Sequence, residues 1–317
     1  MPKPVGFQNL GNTCYMNAAL QLITNSKYIG KAITENKKGK FTVAMANLIN
    51  LRGTVGRTDP SEIKQLMGVK YRMFAGFGQQ DSHEFIVQFL DLAHRELNSV
   101  TEKPVYVELN YDELKVQEGF SLYHDYQLKF ENSPIQEVLQ FHVIQEVTCS
   151  NCKHTSFTFI PEQQIIIDCD KLLKINKKPN LLDCLDFYFQ TQEVNSRKCA
   201  KCKQNAEATL SKHLWTLPKQ LIIVLKRFSS RGLKITDSVE FSDKADLSKY
   251  LHHEAEQTSF EYEFNAASLH SGSTGGGHYT AIVKQDGVMW DCNDSSVSKT
   301  SDRLDDGRIY VVSYSLV

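Results

Sequence analysis

The sequence predicts an α+β fold, in which a helical first third precedes a β-rich remainder. Three observations carry this. Early in the chain, apolar side chains recur at three- and four-residue steps, the spacing of one helix face. From about Tyr106 the texture turns to alternating, β-branched and aromatic runs. Two C-x-x-C pairs sit within that β-rich region, and Gly-rich turns punctuate its last part.

The elements follow in order. After Cys14, the residues Tyr15, Ala18, Ala19, Leu22 and Ile23 outline a first amphipathic helix. "TVAMANLINLRG" and "DPSEIKQLMGVKY" read as two more, the second with Asp59 as N-cap and Pro60 at the first helical position. "GQQDSHEFIVQFLDLAHRELNSV" is a longer helix that turns Phe85, Phe89, Leu90, Leu92, Ala93 and Leu97 toward a core. "QFHVIQEVTCSNCKHTSFTFIP" reads as two strands joined by a tight cysteine-bearing turn. "EQQIIIDC" is a further strand, and "NLLDCLDFYFQTQ" a short helix capped by Asn180. "EATLSKHLWTL" and "KQLIIVLKRF" are strands separated by Pro218. "FEYEFNAASLHSG", "GHYTAIVKQDG", "GVMWDCND" and "GRIYVVSYSLV" complete an antiparallel set.

A length of 317 residues suffices for one large domain or two to three packed subdomains. A formal net charge of −1 gives no cationic footprint, so neither a nucleic acid nor an acidic membrane is expected as partner. The first residues lack the apolar stretch of a signal peptide, and no apolar run approaches the roughly 18 residues of a membrane span. A cytoplasmic location is expected, with the nucleus or a host cytosol left open. Eight cysteines in such a chain point away from a disulfide framework. Cys169 and Cys184 read as core thiols, and Cys292 as a packing residue facing away from its neighbour Asn293.

Cys149 and Cys152 form one C-x-x-C pair, Cys199 and Cys202 the other, with 46 residues between them. Two such pairs present four thiolates in the number that tetrahedral zinc takes, leaving no open position for catalysis. One structural zinc ion tying two distant hairpins together is the expectation.

Cys14 is preceded by the turn "NLGNT", whose Asn9 and Asn12 are candidate oxyanion donors. The helix start favours thiolate through its positive dipole end, although a cysteine there can equally be structural. His278 follows three glycines and opens an apolar strand, which makes it a candidate base. The next strand returns Asn293 or Asp294 beside it, the place of an imidazole-orienting third group. The order Cys, His, Asn/Asp, with the cysteine on an early helix, matches a papain-like arrangement.

At these residues a family resemblance becomes specific. "GFQNLGNTCYMNAALQLI" resembles the cysteine box of the ubiquitin-specific proteases, and "GGGHYTAIV…WDCNDSSVS" resembles their histidine box. "GQQDSHEF", "LPKQLIIVLKRF" and the two cysteine pairs resemble three further motifs in the family's order, so the likeness spans essentially the whole chain. It implies a papain-like cysteine protease fold shaped as a hand. A helical thumb would cover about 1–105, zinc-bearing β fingers with part of the palm 106–215, and an antiparallel β palm 216–317. It further implies Cys14 as nucleophile, His278 as base, Asn293 with Asp294 nearby at the third position, and Asn9 as oxyanion donor. Gln80, Asp81, Glu84, Phe228, Gly277 and Tyr279 would touch the substrate, with Asp81 pairing with arginines of ubiquitin's tail. The segments 229–237 and 270–277 would be flexible loops over that Arg-Leu-Arg-Gly-Gly tail. Ubiquitin and ubiquitinated proteins would be the partners of a monomeric deubiquitinase. Two alternatives share these motifs: a protease for another ubiquitin-like modifier, and an inactive ubiquitin-binding module.

Overall fold

A computed structural model of the chain describes residues 3–111, 114–229, 232–273, 275–301 and 304–317. Its first lobe is helical: α1 (Cys14–Asn25), α2 (Lys27–Asn36), α3 (Lys40–Asn50), α4 (Ser61–Lys70) and α5 (Ser82–Leu97). The short strands β1 (Gly6–Phe7) and β2 (Arg57–Thr58) pair in parallel beside α1. Local chemistry sets the boundaries. Ser26 caps α2 by accepting from the Ile29 N–H, and Asp81 caps α5 by accepting from the Glu84 N–H. The start of α3 is capped from another element, since the Glu96 carboxylate of α5 accepts from the Phe41 and Thr42 N–H groups. Asp59 does not cap α4. Its Oδ1 accepts from the Ser61 N–H in an Asx turn, and the helix begins one residue later than the sequence suggests.

The region after Tyr106 differs from its expected β texture, because two helices come first: α6 (Val116–Gln127) and α7 (Pro134–Leu139). The aromatic residues that suggest a strand lie at helical spacing in α6. Phe120 and Tyr123 pack on Phe159 with ring centroids 5.1 and 5.7 Å away, and Phe120 also meets Trp215 at 5.6 Å. Tertiary stacking thus overrides β propensity here.

A small sheet then follows the order β4-β3-β7-β6, from β3 (Phe141–Cys149), β4 (Thr155–Glu162), β6 (Gln192–Lys198) and β7 (Asn205–Leu214). Between β4 and β6 the chain forms β5 (Ile165–Asp168), α8 (Cys169–Ile175) and α9 (Leu181–Phe189). The segment read as one strand through Cys169 therefore breaks at Asp168, whose carboxylate accepts from the Lys171 N–H and starts α8. Asn180 caps α9 with reciprocal help from Asp183, as its position predicts.

The large sheet uses β8 (Gln220–Lys226), β9 (Lys244–Asp246), β10 (Glu261–Ser273), β11 (Gly276–Gln285), β12 (Val288–Asn293), β13 (Ser296–Lys299) and β14 (Ile309–Leu316). Its order is β13-β12-β11-β10-β14-β8-β5, with β9 on β10. Every pair is antiparallel except β5 with β8 at the edge. Both faces are buried, which explains the unbroken apolar run of β8. Ile222, Val224, Ala281, Val283 and Val311 pack against the helical lobe. Leu221, Ile223, Leu225, Ile282 and Val312 face α8, α9 and the chain around Tyr250. The helix α1 lies across β11 and β10, which sets Cys14 against the strand that carries His278.

Of the two loops expected over the site, residues 230, 231 and 274 lie outside the described residues. The described part of 270–277 is not a loop but the tip of the β10–β11 hairpin, with Ser271 opposite His278 and Gly272 opposite Gly277. Its glycines have a local reason. A Cβ on Gly277 would lie 2.1 Å from the Ser271 carbonyl oxygen, and Gly272 has φ +119°. Among the described residues no helix is long and apolar enough to cross a membrane.

Candidate active site and cysteine cluster

Cys14 is the first residue of α1 and only 4% exposed. Its turn is built by Asn9, whose Oδ1 accepts from the Gly11 N–H at 3.0 Å and the Thr13 N–H at 3.2 Å. Gly11 and Asn12 both adopt positive φ there. Asn12 is drawn away from the sulfur, because its Nδ2 donates to the Phe77 carbonyl. Asn9 is the other side-chain amide of this turn.

Opposite the thiol, His278 is half-buried at the start of β11. Asn293 ends β12, and its Oδ1 stands 2.8 Å from His278 Nε2. A carbonyl oxygen can only accept, so Nε2 carries the proton and Nδ1 is left as the basic nitrogen. Asn293 is thus the side chain that holds this imidazole. Its neighbour Cys292 is buried, and that burial pushes its thiol well up. Burial does the same to Cys169 and Cys184, raised to about 11 and about 12. These three behave as packing thiols.

Asp294 does not face the imidazole. Its Oδ2 accepts from Asn9 Nδ2 at 2.9 Å and its Oδ1 from Asn17 Nδ2 at 2.7 Å. Its backbone carbonyl also accepts from the Phe7 N–H. The carboxylate therefore anchors Asn9 and α1 rather than charging His278. Asn17 belongs to this set and escaped the sequence reading. Its signal was available, since it lies one turn beyond Cys14 on the same helix.

The helix-start argument for a resting thiolate is corrected by packing. Burial pushes the Cys14 thiol up, and the Tyr279 backbone N–H against the sulfur only partly offsets this. The Asp294 charge raises it further. Among the described residues no hydrogen bond joins Cys14 to His278. Burial thus favours the neutral thiol of Cys14 in the free protein.

The remaining sequence candidates divide by location. Asp81 is already occupied: besides capping α5, its Oδ2 accepts from the Tyr310 hydroxyl at 2.8 Å and the Tyr279 hydroxyl at 3.4 Å. Burial and then Asp81 hold both phenols protonated. Gln80 turns back to the Met73 carbonyl. Its neighbour Gln79 instead crosses to the sheet and bonds the backbone of Gly277 at both ends of its amide. Glu84 is exposed in the first turn of α5, and His83 pairs with Gln164 at 2.7 Å. Phe228 borders His270, which in turn lies 4.5 Å from the Tyr279 ring.

At the far end of the small sheet, Cys149, Cys152, Cys199 and Cys202 bring their sulfurs within 4.8 Å of one another. Tetrahedral zinc with bonds of about 2.3 Å needs sulfurs about 3.8 Å apart, so the cluster fits that ion. The two turns repeat one geometry. The Lys153 N–H returns to the Cys149 carbonyl and the Lys203 N–H to the Cys199 carbonyl, with both lysines at positive φ.

Helix-borne thiol, strand-borne imidazole and orienting amide define a papain-like arrangement. The ubiquitin carboxyl-terminal hydrolase family model matches residues 5–314. Relatives include ubiquitin carboxyl-terminal hydrolase Usp2 of Drosophila melanogaster, 30% identical over 295 residues, covering 88% of this chain and 31% of that protein. Human ubiquitin carboxyl-terminal hydrolase 2 is 30% identical over 337 residues, covering 98% of this chain and 55% of its own length. The chain thus spans about a third to about half of these two relatives. A chain of the SAGA DUB module bound to monoubiquitin superposes with a TM-score of 0.78 at 21% identity, covering all of this chain and 71% of that one. This chain belongs to the ubiquitin carboxyl-terminal hydrolase family.

Proposed function

We propose that this chain is a deubiquitinase that hydrolyses the peptide or isopeptide bond after ubiquitin's last glycine. The observation that carries the reading is the 2.8 Å contact of His278 Nε2 with Asn293 Oδ1, on the strand that packs against Cys14. That contact directs the free Nδ1 lone pair to the one task left, taking the Cys14 proton. Ubiquitin in the structural neighbour supports the choice of substrate.

In this mechanism the Cys14 thiol passes its proton to His278 Nδ1 as the sulfur attacks the glycine carbonyl carbon. The Asn9 N–H not held by Asp294 and the backbone N–H of Cys14, which has no carbonyl partner within the helix at its first position, receive the oxyanion. His278 returns the proton to the departing amine as the carbon–nitrogen bond breaks. Water then hydrolyses the thioester with His278 as base, restoring the thiol. Burial favours the neutral form of the Cys14 thiol, so the proton leaves it as the sulfur attacks.

The four cysteines would hold one structural zinc ion, which fastens the ends of the β3–β4 and β6–β7 hairpins. All four positions are protein sulfur, so the ion supplies stability rather than chemistry. The test is hydrolysis of ubiquitin carrying a C-terminal aminocoumarin, beside other Gly-Gly-ending modifiers carrying the same dye. Turnover of the ubiquitin substrate that vanishes in Cys14→Ala supports the reading. Preference for another modifier, or no turnover, refutes it.

A further inference from the structure

The contact between Gln79 and Gly277 has the form of a substrate contact made by the protein itself. Gln79 Nε2 donates to the Gly277 carbonyl at 3.0 Å, and Gln79 Oε1 accepts from the Gly277 N–H at 2.9 Å. A primary amide has a donor and an acceptor side by side, as a peptide unit of a neighbouring strand does. In an antiparallel ladder a residue turns both backbone groups to the same side. Gly277 turns both away from β10, toward the edge of β11. That edge is open, because the pairing of β12 with β11 begins only at Ala281 opposite Cys292.

The open edge leads to the nucleophile. Tyr279, two residues on, faces the same way, and its N–H lies against the Cys14 sulfur. An extended chain laid along β11 with its carbonyl at Cys14 would bond to Gly277 by strand addition. Gln79 holds that position in the free protein, across the gap between the helical lobe and the large sheet. The site is also tight: a Cβ on Gly276 would come within 2.9 Å of Gln79 Oε1. We propose that Gln79 is a self-inhibitory placeholder, whose side-chain amide fills the Gly277 backbone slot and must leave before the substrate's Gly-Gly tail can bind. The proposal rests on the reading of ubiquitin's tail as substrate, and it adds a gate to that site.

The gate has a kinetic signature. Gln79 is exposed and precedes α5, so Gln79→Ala keeps the fold while removing both bonds. Two solvent-screened hydrogen bonds competing with the tail predict a rise in kcat/KM of about three- to tenfold, carried by KM, with kcat within twofold. Gln79→Asn, one methylene too short to span both groups, should behave the same way. Alkylation of Cys14 by iodoacetamide, which needs no strand edge, should proceed at the wild-type rate in both variants. Hydrogen exchange at the Gly277 amide should be slow in the wild type and fast in Gln79→Ala.

Several results would overturn the placeholder. One is a kcat/KM in Gln79→Ala that falls, as it would for a residue that grips the tail, or stays level. Another is a change confined to kcat, and a third is equal exchange at Gly277 in both proteins. A wild-type protein that fails to hydrolyse ubiquitin–aminocoumarin refutes the proposed function and the gate with it. An active wild type without the gain refutes the gate alone.

Discussion

Replacing Asn9 with alanine separates catalysis from folding, and the structure sets the size of each effect. The Asn9 amide nitrogen has two hydrogens, and one is held by Asp294 Oδ2 at 2.9 Å. The other is the one that the proposed mechanism gives to the oxyanion. Removing one such donor costs about 10²–10³ in kcat, or about 2.7–4 kcal/mol of transition-state stabilisation. The same substitution also deletes bonds from Asn9 to Gly11, Thr13 and Asp294. These are exposed or only part-buried, so together they stabilise the fold by about 1–2 kcal/mol, a fall in Tm of a few degrees. The assay pairs kcat for ubiquitin–aminocoumarin at 25 °C with a thermal melt. Asn9→Ala should lose at least a hundredfold in kcat while unfolding in a single transition close to wild type. A folded variant with kcat within about threefold of wild type refutes the oxyanion assignment.

The anchor can be tested apart from the donor. Asp294→Ala leaves the Asn9 amide present but unheld, so kcat should fall by about tenfold, less than for Asn9→Ala, when the two are compared in one assay. Asn293→Asp puts a carboxylate against His278 Nε2, which favours imidazolium, so the acid limb of the kcat/KM profile should move to higher pH. Cys202→Ser should lower the zinc measured by metal analysis from one ion per chain and lower Tm, with Cys14 still open to alkylation. The buried His142 gives a pH test of the fold, because burial and then His124 hold it down at about 4 against an ordinary 6.5. The unfolded chain binds this proton more readily, so stability is fully present above about pH 6.5. It falls by about 1.4 kcal/mol per pH unit toward 4. Denaturant titrations across this window should show a shallower fall in His142→Asn than in wild type.

How much of this was legible in the sequence depended on whether local order alone decides a feature. Cys14 at a helix start and His278 at a strand start are consequences of chain-local signals, and both sit where those signals put them. The Asn180 cap is local in the same sense. Features created by packing were not legible. A dipole argument sees only α1, whereas the neutral thiol comes from the sheet that buries Cys14. Asn293 and Asp294 are adjacent in sequence, yet Asp294 has φ +51° and turns its carboxylate to Asn9 and Asn17. Gln79 and Gln80 are likewise neighbours ahead of α5, where no periodicity distinguishes them. Their tertiary partners send one to Gly277 and the other to Met73. Helix α6 falls in the stretch whose aromatic residues gave it a β texture, and only the stacking on Phe159 and Trp215 decides otherwise.

The central claim is that Cys14 is the nucleophile for ubiquitin's carboxy-terminal glycine. Ubiquitin ending in a propargyl group, incubated with the wild-type protein and analysed by intact mass and peptide mapping, tests it most directly. The account predicts a single ubiquitin adduct on Cys14, formed at a rate cut sharply in His278→Ala and absent in Cys14→Ala. No adduct on the folded wild type, or an adduct mapped to any of the other seven cysteines, would contradict it.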